Sequence, residues 1–168
     1  MPFAGLHDLP NLERIEIERG NHDRLFDGLD KLRTLKSLKL SVLMYMNDSD
    51  LDELKNLGQL KQLEMIYLRN ITSAGLQNLR GLKLLEDLTL DEMGPVETDD
   101  LGFLNDLPSL KRLRLSDNTT VSDAAISTVI GLSKLTLLDL TQSHVSKASM
   151  DRLERARPHL TISGATAD

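Results

Sequence analysis

The chain has 168 residues, the size of one domain with a sizeable core, and 26 acidic against 20 basic residues give it a formal charge of −6. That charge disfavours nucleic-acid partners, and the lack of cysteine excludes disulfides, thiolate metal sites and cysteine nucleophiles. The sequence has no basic start followed by an apolar run, and no apolar stretch near the ~20 residues of a membrane span. We therefore expect a cytoplasmic protein that contacts no membrane.

A pattern of apolar residues recurs along the chain at intervals close to 25 residues. The units begin near positions 3, 26, 51, 76, 101, 126 and 150, and each of the first six has apolar residues at relative positions 0, 3, 6, 9, 12 and 14. The first six read FAGLHDLPNLERIEI (3–17), FDGLDKLRTLKSLKL (26–40), LDELKNLGQLKQLEM (51–65), LQNLRGLKLLEDLTL (76–90), LGFLNDLPSLKRLRL (101–115) and ISTVIGLSKLTLLDL (126–140). This period predicts one repeat domain over 1–168.

Each unit changes its apolar period along its length. Steps of three, as in Leu76, Leu79 and Leu82, predict a short helix or helical turn with one buried stripe. The final step of two, Leu88 and Leu90, predicts a strand with one buried face. Polar residues before each helical segment, as in NDSDL and SDAAI, are typical of helix N-caps.

No single unit can bury both its helical stripe and its strand, so the units must stack on one another. Stacking predicts a parallel sheet on one side and helices on the other. Helices are about 10 Å wide and strands are ~4.8 Å apart, so the sheet must line the concave side of a curved solenoid.

Three strand segments carry a resemblance to a known family: LLEDLTL (84–90), LKRLRL (110–115) and LTLLDL (135–140). They resemble the L-x-x-L-x-L segment of leucine-rich repeat proteins. The longer units ITSAGLQNLRGLKLLEDLTL and VSDAAISTVIGLSKLTLLDL are similar to the V-T-D-A-G-L-type repeats of some bacterial proteins and to F-box-associated repeats. The resemblance implies an α/β horseshoe with a concave parallel sheet and convex short helices, and a protein-binding scaffold that needs no cofactor. Members of this family usually have an asparagine after the strand, and in this chain only Asn118 matches it. The equivalent positions of other units hold Leu43, Leu68, Met93 and Ser143.

The two ends of the solenoid differ in apolar character. The last unit has Met150, Leu153, Ala156, His159, Ile162 and Gly164 at the buried positions, a fading pattern typical of a terminal cap. The arginines Arg152, Arg155 and Arg157 are expected on its solvated outer face, with a basic binding patch as the alternative. The first unit, from Phe3, has an open side that permits self-association, although charges on 13–18 favour a monomer.

The outward positions of units two and three are unusually apolar. Val42, Ile66 and Tyr67 are expected to be neighbours on adjacent strands, with Met44 and Tyr45 on the loop nearby. Such a group has the composition of a protein-contact patch. We therefore predict a protein partner that binds the concave face and adjoining loops of units two to four through Lys39, Val42, Met44, Tyr45, Glu64, Ile66, Tyr67, Arg69, Asp91 and Arg114.

Several competing interpretations stay open at this point. Met44 and Tyr45 would fold back over the loop edge if they replace the missing asparagines. The acidic run Asp91, Glu92, Glu97, Asp99 and Asp100 is read as helix capping and solvated charge, because its spacing does not follow a calcium loop. His144 has Asp139 and Ser143 near it but no nucleophile turn, so we expect neither an enzyme nor a metal site. The chain could also be an assembly module, either a segment of a larger repeat protein or a homo-oligomer joined through its first unit.

Overall fold

Within the part of the chain that the structure describes, seven parallel strands form one sheet in chain order, so each strand pairs with its neighbours in sequence. The computed structural model describes residues 9–20, 28–94, 98–118 and 121–164, without the side chains of Asp30 and 98–100. The strands are β1 (Arg14–Glu18), β2 (Ser37–Ser41), β3 (Gln62–Ile66), β4 (Asp87–Asp91), β5 (Arg112–Arg114), β6 (Leu137–Asp139) and β7 (Thr161–Ser163). The predicted α/β horseshoe, with a concave sheet and convex short helices, is confirmed. The predicted unit starts Phe3 and Phe26 lie outside the described residues.

The strands are in register without slippage, because every pair aligns equivalent positions of consecutive units. Leu38, Leu63 and Leu88 are direct neighbours, and each is buried. The side chain between the two inward-facing positions of each strand faces outward. These side chains form one column across the sheet: Glu16, Lys39, Glu64, Thr89, Arg114, Asp139 and Ser163. The period of two in the sequence therefore predicts which strand side chains lie in the core and which lie on the concave surface.

The helical layer contains both 3₁₀ helices and α-helices. The 3₁₀ helices are Leu29–Lys31, Asp48–Asn56, Gln77–Gly81 and Thr98–Asp106, and the α-helices are α1 (Ser73–Leu76), α2 (Asp123–Gly131) and α3 (Lys147–Ala156). Steps of three match the three residues per turn of a 3₁₀ helix, and Leu51 and Leu54 are buried at that spacing. In α2 the buried residues are Ala125, Ile126 and Val129, which is the spacing of an α-helix.

Aspartate carboxylates of one unit accept hydrogen bonds from the residue that precedes the helix of the next unit. Asn47 closes a capping box with Asp50, as expected for this acidic segment. Asp48 accepts hydrogen bonds from the backbone N–H and the hydroxyl of Thr72 at 2.7 and 2.6 Å. Asp123 accepts the same pair from Ser146 at 2.7 and 2.8 Å. The acids of these segments thus cap helices and join units.

Arg157 does not lie on a solvated face as predicted. Its guanidinium donates to four backbone carbonyls of the sixth unit: Ile130 (3.2 Å), Leu132 (2.6 Å), Ser133 (3.4 Å) and Leu135 (2.8 Å). These carbonyls lie in the last turn of α2 and just beyond its end, where acceptors often lack intrahelical partners and where cations are favoured. The prediction was wrong for Arg157 because its acceptors lie 22 to 27 residues away in sequence. Arg152 and Arg155 are exposed, as predicted.

Apolar side chains replace most of the asparagine ladder. Leu43 and Leu68 are buried at the equivalent positions. Asn118 is also buried; its amide donates to the carbonyl of Leu90, and its Oδ1 accepts from the Met93 N–H at 2.9 Å. These bonds hold the loop of unit five against that of unit four.

Candidate functional site

In six consecutive units of the described chain, a residue one to three positions beyond the end of the strand has a left-handed backbone. We call these residues the strand-end row: Arg19, Val42, Tyr67, Glu92, Asp117 and Gln142, with φ between 48° and 58°. Five of their N–H groups donate to the next unit's backbone, at Ser41 (3.1 Å), Ile66 (3.0 Å), Asp91 (2.9 Å), Ser116 (3.4 Å) and Thr141 (2.9 Å). The row therefore extends the sheet by one bond per unit and turns each chain segment outward.

Two members of the row are poorly suited to this conformation. A left-handed backbone is rare outside glycine, asparagine and aspartate, and it is a genuine outlier for a β-branched residue such as Val42. Tyr67 is bulky and carries the same conformation in the next unit. Such strain costs on the order of 1–3 kcal/mol and concentrates at functional sites. The two unfavourable residues are adjacent and apolar, so their position in the row needs a reason other than backbone stability.

Apolar side chains lie at and just beyond the carboxyl ends of the neighbouring strands β2 and β3. We call them the apolar patch: Val42, Met44, Tyr45, Ile66 and Tyr67. Met44 is 57% exposed and Tyr45 is 67% exposed, whereas Val42, Ile66 and Tyr67 are part-buried. The alternative in which Met44 and Tyr45 fold back over the loop edge is wrong, because Leu43 and Leu68 already fill that edge.

Neighbouring loops hold the apolar patch in place. The Asn70 amide donates to the Met44 carbonyl at 2.6 Å, which fixes the loop of unit two to that of unit three. The Arg69 guanidinium lies 4.3 Å from the centre of the Tyr67 ring, a cation–π geometry. Gly94 lies so close to the Arg69 carbonyl that a Cβ at this position would be 2.2 Å from that oxygen. The rim of the patch is thus built by tight loop packing.

The predicted charged residues surround the patch at different distances. Lys39 forms an ion pair with Glu18 at 3.4 Å, and Glu64 accepts a hydrogen bond from Gln62 at 2.9 Å. Arg114 lies two strands beyond β3 and pairs with Asp139 at 3.3 Å. Of these charged residues Arg69 contacts the patch, through the Tyr67 ring; Lys39 and Glu64 lie on β2 and β3 with their own partners, and Arg114 lies two strands away.

Asp91 is held by the neighbouring unit. Ser116 donates to its carboxylate from the hydroxyl at 2.7 Å and from the backbone N–H at 3.2 Å. Burial raises the pKa of Asp91 above its ordinary value, while the Ser116 hydrogen bonds and Arg114 oppose that rise. Its neighbour Glu92 is exposed and so is Asp117 in the next unit. Asp117 was not among the predicted site residues, and it stands next to Glu92 in the strand-end row.

The concave face also has a shallow depression of about 190 Å³ over β3 to β6. It is lined by Gln62, Glu64, Asp87, Leu88, Thr89, Arg112, Leu113, Arg114 and Leu137. Both arginines already pair with carboxylates, Arg112 with Asp87 and Arg114 with Asp139. A partner must therefore compete with these ion pairs to use the depression.

The described residues lack the arrangements that metal binding, membrane spanning or serine nucleophile chemistry needs. Among them, no group of three His, Cys, Asp or Glu side chains could hold a metal ion, and no helix is long and apolar enough to cross a membrane. The Ser143 hydroxyl is buried without a hydrogen-bond partner, so neither His144 nor Asp139 contacts it as a base would. Glu97 of the acidic run lies outside the described residues, as do the side chains of Asp99 and Asp100.

Replacing Val42 with asparagine is expected to raise the free energy of unfolding by about 1 kcal/mol, because asparagine tolerates the left-handed backbone far better. Urea unfolding followed by circular dichroism measures this change. The matched control is Asp117→Asn, at the same position in unit five, which should shift stability by less than about 0.5 kcal/mol. Lower stability of Val42→Asn would mean that packing of the valine outweighs its backbone strain.

Solved structures of other proteins share this architecture, although no family model and no curated protein matches the sequence. An internalin of Listeria monocytogenes is similar with a TM-score of 0.70 at 19% identity, over 97% of this chain and 50% of the internalin. A leucine-rich repeat protein of Leptospira interrogans has a TM-score of 0.67 at 22% identity, over 94% of this chain and 38% of its own. TLR13, in its complex with ssRNA13, has a TM-score of 0.67 at 21% identity, over 94% of this chain and 22% of TLR13. This chain thus spans half or less of each neighbour, and its fold is that of the leucine-rich repeat proteins.

Proposed function

We propose that this chain is a rigid scaffold that binds another protein through the apolar patch and the adjoining concave face of units two to four. The observation that carries the proposal is the strained, apolar pair Val42 and Tyr67 in the strand-end row. The other four members of the row are polar and exposed: Arg19, Glu92, Asp117 and Gln142. The fold itself therefore does not require an apolar residue at this position of the unit.

The composition of the patch supports a protein partner over other ligands. Tyr45 and Tyr67 offer large side chains with a polar tip, a type enriched among residues that dominate binding energy. Met44 adds a flexible apolar surface beside them. The concave depression is shallow and its arginines are paired, which does not favour a small ligand. The charge of −6 likewise favours a protein over nucleic acid, in contrast to the RNA in the TLR13 complex.

Capture from an extract of the source organism tests the proposal. The full chain is immobilised and compared with a Tyr45→Ser, Tyr67→Ser double variant of the same thermal stability. We expect the wild type to retain a specific protein that the double variant loses. The matched control replaces exposed residues outside the patch, Leu84→Ser and Lys83→Ser, and should retain the same protein. Equal capture by all three would overturn the patch as the recognition surface.

Self-association through the first unit is the competing proposal. Strand β1 is an edge strand within the described residues and pairs with β2. Its outward side chains Arg14, Glu16 and Glu18 are exposed and charged, and charges on an edge discourage pairing with a second copy. We expect sedimentation velocity to give one monomeric species from about 5 to 200 µM, a range that covers ordinary weak association. A dimer that dissociates on dilution would support the assembly module instead.

A further inference from the structure

The strand-end row changes its chemical character in one direction along the carboxyl edge of the sheet. It begins with a base in unit one (Arg19), continues with two apolar residues in units two and three (Val42 and Tyr67), and reaches two acids in units four and five (Glu92 and Asp117). Arg19, Glu92 and Asp117 are exposed. A partner segment that crosses the strands therefore meets positive, apolar and negative surface in that order.

The spacing of the row distinguishes between kinds of segment. Neighbouring strands lie ~4.8 Å apart, so the four gaps from Arg19 to Asp117 span about 19 Å. An α-helix returns to the same face every 5.4 Å, and about 13 residues cover this span. An extended strand returns to the same face only every ~6.7 Å and would lose register within two units. A helix laid across the strands can thus place one side chain or pair per unit against the row.

We propose that the partner presents an amphipathic helix across the strand-end row, with acidic residues over Arg19, apolar residues over Val42 and Tyr67, and basic residues over Glu92 and Asp117. This inference rests on the proposed function and adds the partner's chemistry and direction. Acids stabilise a helix near its N-terminus and bases near its C-terminus, so the required order is also a stable order for a helix. The helix N-terminus therefore lies at unit one, and Met44 and Tyr45 flank its apolar turns.

Two synthetic peptides of identical composition test the inference by fluorescence anisotropy with the full chain. The first, about 18 residues long, has Glu on its first turn, Leu and Phe on the next two and Lys on the last two turns of one face; the second has the same face in reverse order. We expect the first peptide to bind at least tenfold more tightly. Equal affinity of the two peptides, or no binding of the first, overturns the proposed helix.

Charge-reversal variants locate the contact. A Glu92→Lys, Asp117→Lys double variant should lose at least tenfold in affinity for the first peptide. The matched control, Asp151→Lys and Glu154→Lys, makes the same change of charge on exposed positions of α3 and should bind as the wild type does. Equal losses in both variants would mean that only net charge matters and would overturn the directional contact. If the cell extract yields a protein that requires Tyr45 and Tyr67 while both peptides fail, the scaffold function stands and the helix inference falls.

Discussion

Replacing Phe103 with alanine is expected to lower the free energy of unfolding by about 4 kcal/mol, the largest effect of any single change considered for this chain. Phe103 is fully buried within the 3₁₀ helix Thr98–Asp106 and belongs to the continuous core. Truncation removes its transfer free energy and leaves a cavity that the stacked units above and below cannot fill. Urea unfolding measured by circular dichroism gives the change directly.

Two controls separate the aromatic side chain from its position. Phe103→Leu keeps most of the volume and should cost under about 1.5 kcal/mol. Thr128→Ala alters the equivalent position of unit six, where the side chain is only part-buried, and should cost less than about 1 kcal/mol. If Phe103→Ala cost no more than Thr128→Ala, the aromatic ring would not be a core element.

Replacing Arg157 with alanine should lower the free energy of unfolding by about 3 kcal/mol, since hydrogen bonds to a charged group contribute about 1.5–3 kcal/mol. The substitution removes the Arg157 donor from the carbonyls of Ile130, Leu132, Ser133 and Leu135, of which Leu132 keeps the Leu135 N–H. It also removes a cation that lies beyond the end of α2. Hydrogen exchange should show the loss first in units six and seven, because each repeat contacts only its neighbours.

The conservative variant tests whether the forked geometry matters. Lysine keeps the charge but lacks the planar pair of donors, so Arg157→Lys should recover less than half of the lost stability. Arg152→Ala is the matched surface control; its guanidinium is exposed and 3.4 Å from the Ser127 hydroxyl, and its loss should be under about 0.5 kcal/mol. Full recovery by lysine would mean that charge alone, without directed bonds, stabilises the last unit.

The two stability predictions concern residues that the repeat pattern does not single out. Phe103 lies at a position where units three, four and six have Glu53, Asn78 and Thr128, so periodicity assigns it no buried role. Arg157 stands in a run of arginines that reads as solvated charge. Both roles depend on the atoms that adjacent units supply, and a one-dimensional pattern does not show those atoms.

In the candidate site, too, some features follow from the sequence and others do not. The sequence predicts that Val42, Ile66 and Tyr67 come together, because strand register follows from the constant repeat length. It does not show the left-handed backbone of the row, since none of the six residues is a glycine that would signal it. It also leaves open whether Met44 and Tyr45 are covered or exposed, which depends on the space that Leu43 and Leu68 fill.

The repeat length, the parallel order of the strands, the buried face of each strand and the column of each outward residue can all be read from the sequence alone. These properties follow from the periods of two, three and 25 residues, which are properties of the chain alone. The left-handed backbone of the strand-end row, the exposure of the apolar patch and the partners of Arg157 become visible only in the folded chain. Each of these depends on contacts between units about 25 residues apart, and such contacts exist only once the units have stacked.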